Sequence, residues 1–162
     1  ERFKDGSVFI PEVLLSARVI NEGLTILEPH LANFDSKSKG TVMIGTVRGD
    51  LHDIGKNMVL TMLKGVGFNT VDLGVNVKVE DFVQQVREIK PDILGISALL
   101  TTTMPQMKMV IAAVVEAGLR ENLKIITGGA PVNQKFSDDI KADGYAQDAG
   151  EAISLVKQLM KN

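Results

Sequence analysis

A histidine and two aspartates lie close together between Gly49 and Asn57, in the stretch Gly-Asp-Leu-His-Asp-Ile-Gly-Lys-Asn. Asp50 and His52 are two residues apart, so the carboxylate can accept a proton from one imidazole nitrogen while the other points outward as a ligand or base. Gly49 and Gly55 lack a Cβ and let the backbone come close to a bulky group. The stretch therefore predicts an imidazole that meets a large ligand, a metal or a proton.

The same stretch is compatible with other roles. Asp50 or Asp53 could cap a helix and leave His52 as an ordinary loop residue, which stays open for a single Asp-x-His. A phosphate-binding loop is disfavoured because neither Gly-x-Gly-x-x-Gly nor Gly-Lys-Ser/Thr is present. A hydrolytic metal site is also disfavoured, because it needs three or four ligands and the only other histidine is His30, in an N-terminal helical segment.

From Gly40 onward, short β-branched runs alternate with longer amphipathic segments. The predicted strands are residues 41–47, 69–73, 93–97, 124–127 and 144–146, and the predicted helices are 54–66, 79–90, 104–117, a short one near Phe136, and 150–160. Apolar strands separated by helices indicate a parallel sheet that is covered on both faces. We expect an α/β fold with a doubly wound, five-stranded, flavodoxin-like sheet of order 2-1-3-4-5, which binds ligands at the carboxyl ends of its strands.

The first 35 residues differ from the rest because their apolar side chains recur at helical spacing. The segment Asn33–Gly40 is rich in Ser, Lys and Gly and predicts a linker, placed at residues 36–40, before an α/β domain over residues 41–162. The chain begins at Glu1 in helical-looking sequence. We expect residues to be missing before it.

The composition disfavours several classes of function. Aromatic residues make up 4% and the net charge is -2, which disfavours a stacking platform or a basic surface for nucleic acid. With no cysteine, the chain has no disulfide, zinc finger or catalytic thiol, as is usual in a reducing cytoplasm. No apolar run approaches the roughly 20 residues that span a bilayer. We expect a cytoplasmic protein without nucleic-acid or membrane partners.

The carboxyl edge of the predicted sheet resembles the cobalamin-binding domain shared by methionine synthase, the corrinoid methyl-transfer proteins and the adenosylcobalamin mutases. The resemblance is carried by three motifs, in order along the chain: Asp50-x-His52-x-x-Gly55, Ser97-x-Leu99 and Gly128-Gly129. It implies cobalamin as cofactor, with His52 as the metal ligand on cobalt. It also implies that the dimethylbenzimidazole tail leaves the cobalt and enters a slot between the strand ends.

The same resemblance implies roles for individual residues. Asp50 would hydrogen-bond the distal nitrogen of His52, and Thr103 would extend this relay where methionine synthase has Ser. The implied cofactor-binding positions of the α/β domain are Gly49, Asp50, Leu51, His52, Asp53, Ile54, Gly55, Ser97, Leu99, Thr101, Gly128, Gly129 and Ala149. A helix N-cap within Thr101–Thr103 and a plain turn at Gly128-Gly129 stay open as other roles.

The N-terminal segment resembles the end of the helical-bundle cap that covers the methyl-bearing face of the corrin in methionine synthase and corrinoid methyl carriers. The positions that match its apolar contacts are Phe3, Ile10 and Val13. Residues 1–35 would then be the C-terminal part of such a cap. Because mutases lack the cap, the segment favours a methyl carrier. The run from Ser97 to Met104 is similar to the corrinoid proteins of methanol, methylamine, betaine and aryl-ether metabolism.

The resemblance implies a carrier rather than an enzyme with turnover of its own. Cob(I)alamin would take a methyl group on a substrate-specific methyltransferase. Methylcobalamin would then pass it to an acceptor methyltransferase loaded with tetrahydrofolate or a thiol, and a reductive activation protein would keep the cofactor active. The alternatives are an adenosylcobalamin-dependent mutase subunit, a cobalamin-responsive sensor, and a cofactor-free receiver module. The receiver is disfavoured because Ser97 stands where it needs an Asp.

Overall fold

The computed structural model describes residues 7–9, 11–12, 15–16, 18–19, 22–23, 26 and 38–161. The chain divides into two compact units, Glu1–Lys37 and Ser38–Asn162. In the first unit, every described residue from 11 to 26 is helical. The predicted cofactor contacts Phe3, Ile10 and Val13 lie outside the described residues. The identification of this unit as part of a cap therefore stays a prediction.

Over its described residues, the second unit alternates five strands with five helices. The strands are β1 (Thr41–Thr46), β2 (Asn69–Asp72), β3 (Ile93–Ser97), β4 (Lys124–Gly128) and β5 (Gly144–Ala146). The helices are α1 (Ile54–Gly65), α2 (Val79–Ile89), α3 (Met104–Glu116), α4 (Gln134–Asp139) and α5 (Ala149–Leu159). All strand pairs are parallel, in the order β2-β1-β3-β4-β5. The predicted flavodoxin-like α/β fold is confirmed.

The sheet is covered on both faces, which explains why its strands are almost continuously apolar. The core on one face joins strand residues to α1 and α5, and its buried members include Val42, Ile44, Leu60, Leu63, Ile93, Ile126 and Val156. The core on the other face joins strand residues to α2 and α3, and its buried members include Met43, Phe82, Val86, Leu94, Met107, Val110, Val114 and Ile125. Neighbouring residues of one strand face opposite cores, as the pleat requires.

The register aligns the carboxyl ends of four strands. Thr46 of β1 pairs with Ser97 of β3, Ser97 pairs with Gly128 of β4, and Gly128 pairs with Ala146 of β5. The connections that follow these strands therefore meet at one edge of the sheet, where doubly wound folds bind ligands. Across the described residues, no helix combines the length and apolar character that a membrane crossing requires.

Candidate functional site at the carboxyl edge of the sheet

The site is built around Asp50, which lies in the turn after β1 and is fully buried. Gly49 has a left-handed backbone with φ of 84°, a conformation that glycine adopts without a steric penalty. The turn closes with a hydrogen bond of 3.1 Å from the Asp50 N–H to the carbonyl oxygen of Val47. This turn directs the Asp50 carboxylate inward, toward the connection between β3 and α3.

The Asp50 carboxylate accepts five hydrogen bonds. Its Oδ1 accepts from His52 Nδ1 at 2.7 Å and from the His52 backbone N–H at 3.1 Å. Its Oδ2 accepts from the backbone N–H groups of Leu99 at 2.7 Å and Leu100 at 3.2 Å, and from the Thr103 hydroxyl at 2.8 Å. One carboxylate therefore joins the β1–α1 connection to the β3–α3 connection, across about 50 residues of sequence.

These hydrogen bonds determine the charge of Asp50. Burial by itself raises the pKa of a carboxyl group, but the hydrogen bonds from the Leu99 N–H, the His52 ring, the Thr103 hydroxyl and the His52 N–H lower it by more. The pKa of Asp50 therefore lies well below its ordinary value of 3.8. Asp50 is a buried carboxylate over the whole physiological pH range.

The His52 ring is held on one side and open on the other. Because the Asp50 carboxylate can only accept, the 2.7 Å contact assigns the proton to Nδ1, so neutral His52 keeps a lone pair on Nε2. Among the described residues, none forms a hydrogen bond with Nε2. The His52 side chain is 51% exposed. Its carbonyl oxygen accepts a hydrogen bond of 2.9 Å from the hydroxyl of Thr46, which is buried.

The contacts correct the capping interpretation of Asp50 and Asp53, and they place Thr103 at the N-cap of its helix without a side-chain cap. Asp53 occupies the N-cap position of α1 but forms no side-chain hydrogen bond with that helix's free N–H groups. Asp50 does not cap α1 either, because its carboxylate is occupied by His52 and by the β3–α3 connection. Thr103 is the N-cap residue of α3, yet its hydroxyl does not cap the helix; it lies 2.8 Å from Asp50 Oδ2 and 2.9 Å from the Leu100 carbonyl oxygen.

An exposed apolar rim surrounds His52. Leu51 is 71% exposed and Ile54 is 47% exposed on the β1–α1 side, and Leu99 and Leu100 are exposed on the β3–α3 side. Asp53 and Gly55 are exposed as well, and a Cβ added at Gly55 would meet no other described atom within 4 Å. Large apolar side chains grouped at the surface mark a binding site for an apolar partner or ligand.

The backbone after β4 passes close to the backbone after β3. Gly129 has φ of 123°, and a Cβ built there would lie 1.8 Å from the Ala98 carbonyl oxygen. At Gly128 a Cβ would lie 3.2 Å from the Ala146 carbonyl oxygen. Gly128-Gly129 is therefore more than a plain turn, because glycine at position 129 is sterically required. Ser97, which pairs with Gly128, is half-buried.

Two further predicted positions stand apart from the Asp50 contacts. Thr101 is exposed in the connection between β3 and α3. Ala149 is half-buried and is the first residue of α5, whose N-cap Asp148 accepts a hydrogen bond from the Glu151 N–H at 2.9 Å. In the described part of the chain, neither residue takes part in the hydrogen bonds around Asp50.

Two residues that hold this site were missed from the sequence. Thr46 donates to the His52 carbonyl, and Asn76 accepts a hydrogen bond of 2.8 Å from the Gly49 N–H through its Oδ1. A signal existed for each. Thr46 is a hydroxyl residue at the end of an otherwise apolar strand, and Asn76 follows β2, so both belong to the same sheet edge as His52.

The site fits a large ligand that brings a metal ion with most of its own donors. The described residues include no group of three or more His, Cys, Asp or Glu side chains that could hold a metal ion. His52 offers one imidazole nitrogen on an open apolar surface, oriented from behind by a carboxylate, which is the common arrangement for a metal-bound histidine. A planar macrocycle would supply the remaining donors and cover the apolar rim.

Comparisons with known proteins show which family the chain is similar to. The model of the B12 binding domain family matches residues 40–154. The chain is 42% identical to a corrinoid protein of Desulfitobacterium hafniense (strain Y51), over 98% of this chain and 74% of that protein. It is also 42% identical to trimethylamine corrinoid protein 1 of Methanosarcina acetivorans, over 99% and 75%.

A solved structure extends the similarity to three dimensions. The chain aligns with the methanol:cobalamin methyltransferase complex of Methanosarcina barkeri with a TM-score of 0.83 and 34% sequence identity, covering 99% of this chain and 61% of that one. The family model covers the whole sheet edge that contains Asp50, His52 and Gly129. The chain therefore belongs to the family of B12-binding corrinoid proteins of methyltransferase systems.

Proposed function

We propose that this chain binds cobalamin through the Nε2 atom of His52 and carries methyl groups between two methyltransferases. The observation that carries the proposal is the 2.7 Å contact between Asp50 Oδ1 and His52 Nδ1, because it fixes the proton on Nδ1 and leaves Nε2 as donor on the open face. When bound, the cobalt of the corrinoid supplies the methyl-accepting and methyl-donating chemistry.

The residues around His52 orient the imidazole and control its proton. The Asp50 carboxylate holds the Nδ1 proton and increases the basicity of Nε2, which strengthens an imidazole as a ligand. The hydroxyl of Thr103 and the N–H groups of Leu99 and Leu100 hold the other carboxylate oxygen. If Nε2 were released from the metal, the Asp50 carboxylate would still hold the ring through its Nδ1 proton.

The remaining predicted residues fit the bulk of the cofactor. The exposed Leu51, Ile54 and Leu99 of the apolar rim would contact the corrin ring beside His52. In the proposed base-off/His-on arrangement, the ends of β3 and β4 would hold the displaced lower base. The positions proposed to line its path are small or carry a hydroxyl group: Ser97, Thr101, Gly128, Gly129 and Ala149.

The proposed partners follow from the proteins that the chain is similar to. Its relatives include trimethylamine and dimethylamine corrinoid proteins, and a structural neighbour is part of a methanol:cobalamin methyltransferase complex. We infer a substrate-specific methyltransferase as donor partner and an acceptor methyltransferase that uses tetrahydrofolate or a thiol. A reductive activation protein would restore cob(I)alamin after accidental oxidation. The chain alone is a carrier, so its turnover requires these partners.

The ligand assignment is tested by loading the chain with hydroxocobalamin and recording visible spectra of the wild type, His52→Ala and His30→Ala. His30 is the only other histidine, so its replacement is the matched control for loss of an imidazole. We expect wild type and His30→Ala to share one spectrum, and His52→Ala to show the spectrum of a corrinoid without an imidazole ligand. Failure of the wild type to retain corrinoid, or a His52→Ala spectrum identical to that of wild type, would refute the assignment.

The carrier role needs a separate test. The loaded chain is reduced and incubated with methylamine- and methanol-specific methyltransferases and their substrates, and methylation of the corrinoid is followed by its visible spectrum. Methylation that requires one of these enzymes supports a carrier. A chain that binds corrinoid, is methylated by none of them, and instead supports a carbon-skeleton rearrangement with a partner subunit would be a mutase subunit.

A further inference from the structure

The segment after β2, Leu73–Val77, runs along the loop that carries His52. The Thr46 N–H donates to the Gly74 carbonyl at 3.0 Å, and the Val77 N–H donates to the Thr46 carbonyl at 3.0 Å. Val47 and Val77 then form an isolated parallel bridge. The pairing of β1 and β2 is therefore prolonged past the end of both strands, up to the turn that contains Gly49 and Asp50.

Asn76 holds that turn at two points. Its side-chain Oδ1 accepts a hydrogen bond of 2.8 Å from the Gly49 N–H, and its backbone N–H donates to the Asp50 carbonyl oxygen at 2.9 Å. Asn76 adopts φ of 53°, in the left-handed region that asparagine tolerates better than most residues. The side chain and the unusual backbone conformation therefore serve the same contact.

An ion pair between the buried Lys56 and the half-exposed Asp72 anchors the Leu73–Val77 segment. Asp72 Oδ1 lies 2.5 Å from Lys56 Nζ and accepts a hydrogen bond of 2.7 Å from the Gly74 N–H. The Lys56 side chain is 1% exposed and belongs to the first turn of α1, which begins two residues after His52. The Leu73–Val77 segment is thus tied to α1, the helix that follows the His52 loop.

The position of Asp50 matters because its carboxylate must reach two structures at once. Its Oδ1 reaches the His52 ring and its Oδ2 reaches the Leu99 N–H, each at 2.7 Å. A shift of the Asp50 backbone would lengthen one of these contacts, and N–H···O hydrogen bonds usually extend only to about 3.2 Å. Asn76 hydrogen-bonds the backbone on both sides of the Gly49–Asp50 peptide, and within the described part of the chain it forms no hydrogen bond with His52.

We propose that Asn76 is a positioning residue that holds the Gly49–Asp50 turn and thereby keeps Asp50 aligned on His52. The expected effect of Asn76 on corrinoid ligation by His52 rests on the proposed function. Its expected effect on the Gly49–Asp50 turn does not. No atom of Asn76 is required to touch the cofactor. Its side-chain acceptor acts on Gly49, and the effect reaches the imidazole through the Asp50 carboxylate.

The test compares four proteins: wild type, Asn76→Gly, Asn76→Asp and Lys90→Gly. Asn76→Gly keeps the left-handed backbone and the N–H but removes Oδ1, and Asn76→Asp keeps an acceptor oxygen. Lys90 has φ of 50° at the C-cap of α2 and is exposed, so Lys90→Gly is the matched control for placing glycine at a left-handed position.

The first measurement is amide hydrogen exchange at Gly49 in the chain without corrinoid. We expect Asn76→Gly to raise the exchange rate by about fivefold, the effect of losing one net hydrogen bond. Lys90→Gly should leave this rate unchanged, and Asn76→Asp should restore it. An exchange rate in Asn76→Gly equal to that in Lys90→Gly would overturn the proposal that Asn76 holds the Gly49–Asp50 turn.

The second measurement reports on the ligand. Each protein is loaded with cyanocobalamin and titrated with cyanide, which displaces the protein imidazole and changes the visible spectrum. We expect Asn76→Gly to reach half-displacement at a cyanide concentration about fivefold lower than wild type, with Asn76→Asp and Lys90→Gly near wild type. Faster exchange without any change in cyanide displacement would overturn the link to His52. If the wild type binds no corrinoid, the proposed function fails. The exchange comparison still decides whether Asn76 holds the Gly49–Asp50 turn.

Discussion

Replacing Asp50 with Asn is the sharpest perturbation of this site, because it keeps the shape and removes only the charge and one acceptor. The carboxylate accepts from five donors and offers none. An amide has one oxygen, which accepts, and one NH₂ group, which donates. The NH₂ group must therefore face N–H or O–H groups that are themselves donors. The two possible orientations have different consequences.

The orientation with the lower energy keeps the amide oxygen toward Leu99, Leu100 and Thr103, since three donors lie there and two lie on the His52 side. The NH₂ group then faces His52 Nδ1. The imidazole can satisfy this group only by moving its own proton to Nε2, which makes Nδ1 the acceptor. Nε2 loses its lone pair, so neutral His52 can no longer serve as a metal ligand through that atom.

The cost in stability follows from the same contacts. Three hydrogen bonds to a charged oxygen become bonds to a neutral one, which are worth about half as much, and the His52 backbone N–H loses its acceptor. Relief from burying a charge offsets part of this loss. We expect the free energy of unfolding to fall by about 2 to 4 kcal/mol. We expect corrinoid affinity to fall by about 10- to 100-fold, as for other residues that orient a metal-bound histidine.

Urea unfolding of the corrinoid-free chain and visible spectra of the loaded chain measure both effects. Asp53→Asn is the matched control for unfolding of the corrinoid-free chain, because Asp53 undergoes the same chemical change three residues away and is exposed. Among the described residues, its carboxylate accepts a hydrogen bond only from Asn57, at 3.1 Å. That variant should stay within about 0.5 kcal/mol of wild type. If Asp50→Asn unfolded like Asp53→Asn and kept the wild-type spectrum, the assigned proton on Nδ1 would be wrong.

Three further outcomes follow from single contacts. Thr46→Val, which removes the donor to the His52 carbonyl, should lower the unfolding free energy by about 1 to 2 kcal/mol in urea, and Thr46→Ser should recover most of it. Gly129→Ala, whose Cβ would lie 1.8 Å from the Ala98 carbonyl oxygen, should lower it by more than about 3 kcal/mol, and Gly128→Ala by clearly less. Folding lowers the pKa of Asp50 below its ordinary 3.8, so the stabilisation from its carboxylate is present above that pH and is lost as the pH falls toward the folded-state pKa. The unfolding free energy of Asp50→Asn should therefore fall less steeply with acid than that of wild type.

Much of the fold was determined by local sequence. Strands buried on both faces must be continuously apolar and helices between them must be amphipathic, so their positions along the chain followed from the pattern of side chains. The parallel arrangement followed because consecutive parallel strands need a helical crossover, and it placed the Asp50-x-His52 motif at the carboxyl edge of the sheet. Because Asp50 and His52 are two residues apart in one turn, their contact could be predicted from the sequence.

Only the tertiary structure decided which residues of other segments hydrogen-bond Asp50 and the turn that carries it. The Leu99 and Leu100 N–H groups and the Thr103 hydroxyl reach Asp50 because β1 and β3 are neighbours in register, and Thr103 consequently leaves its helix uncapped. Asn76 reaches Gly49 because β2 lies on the other side of β1. Such contacts join residues far apart in sequence, and hydrogen bonds depend on distances of tenths of an ångström, which residue types and spacing do not encode.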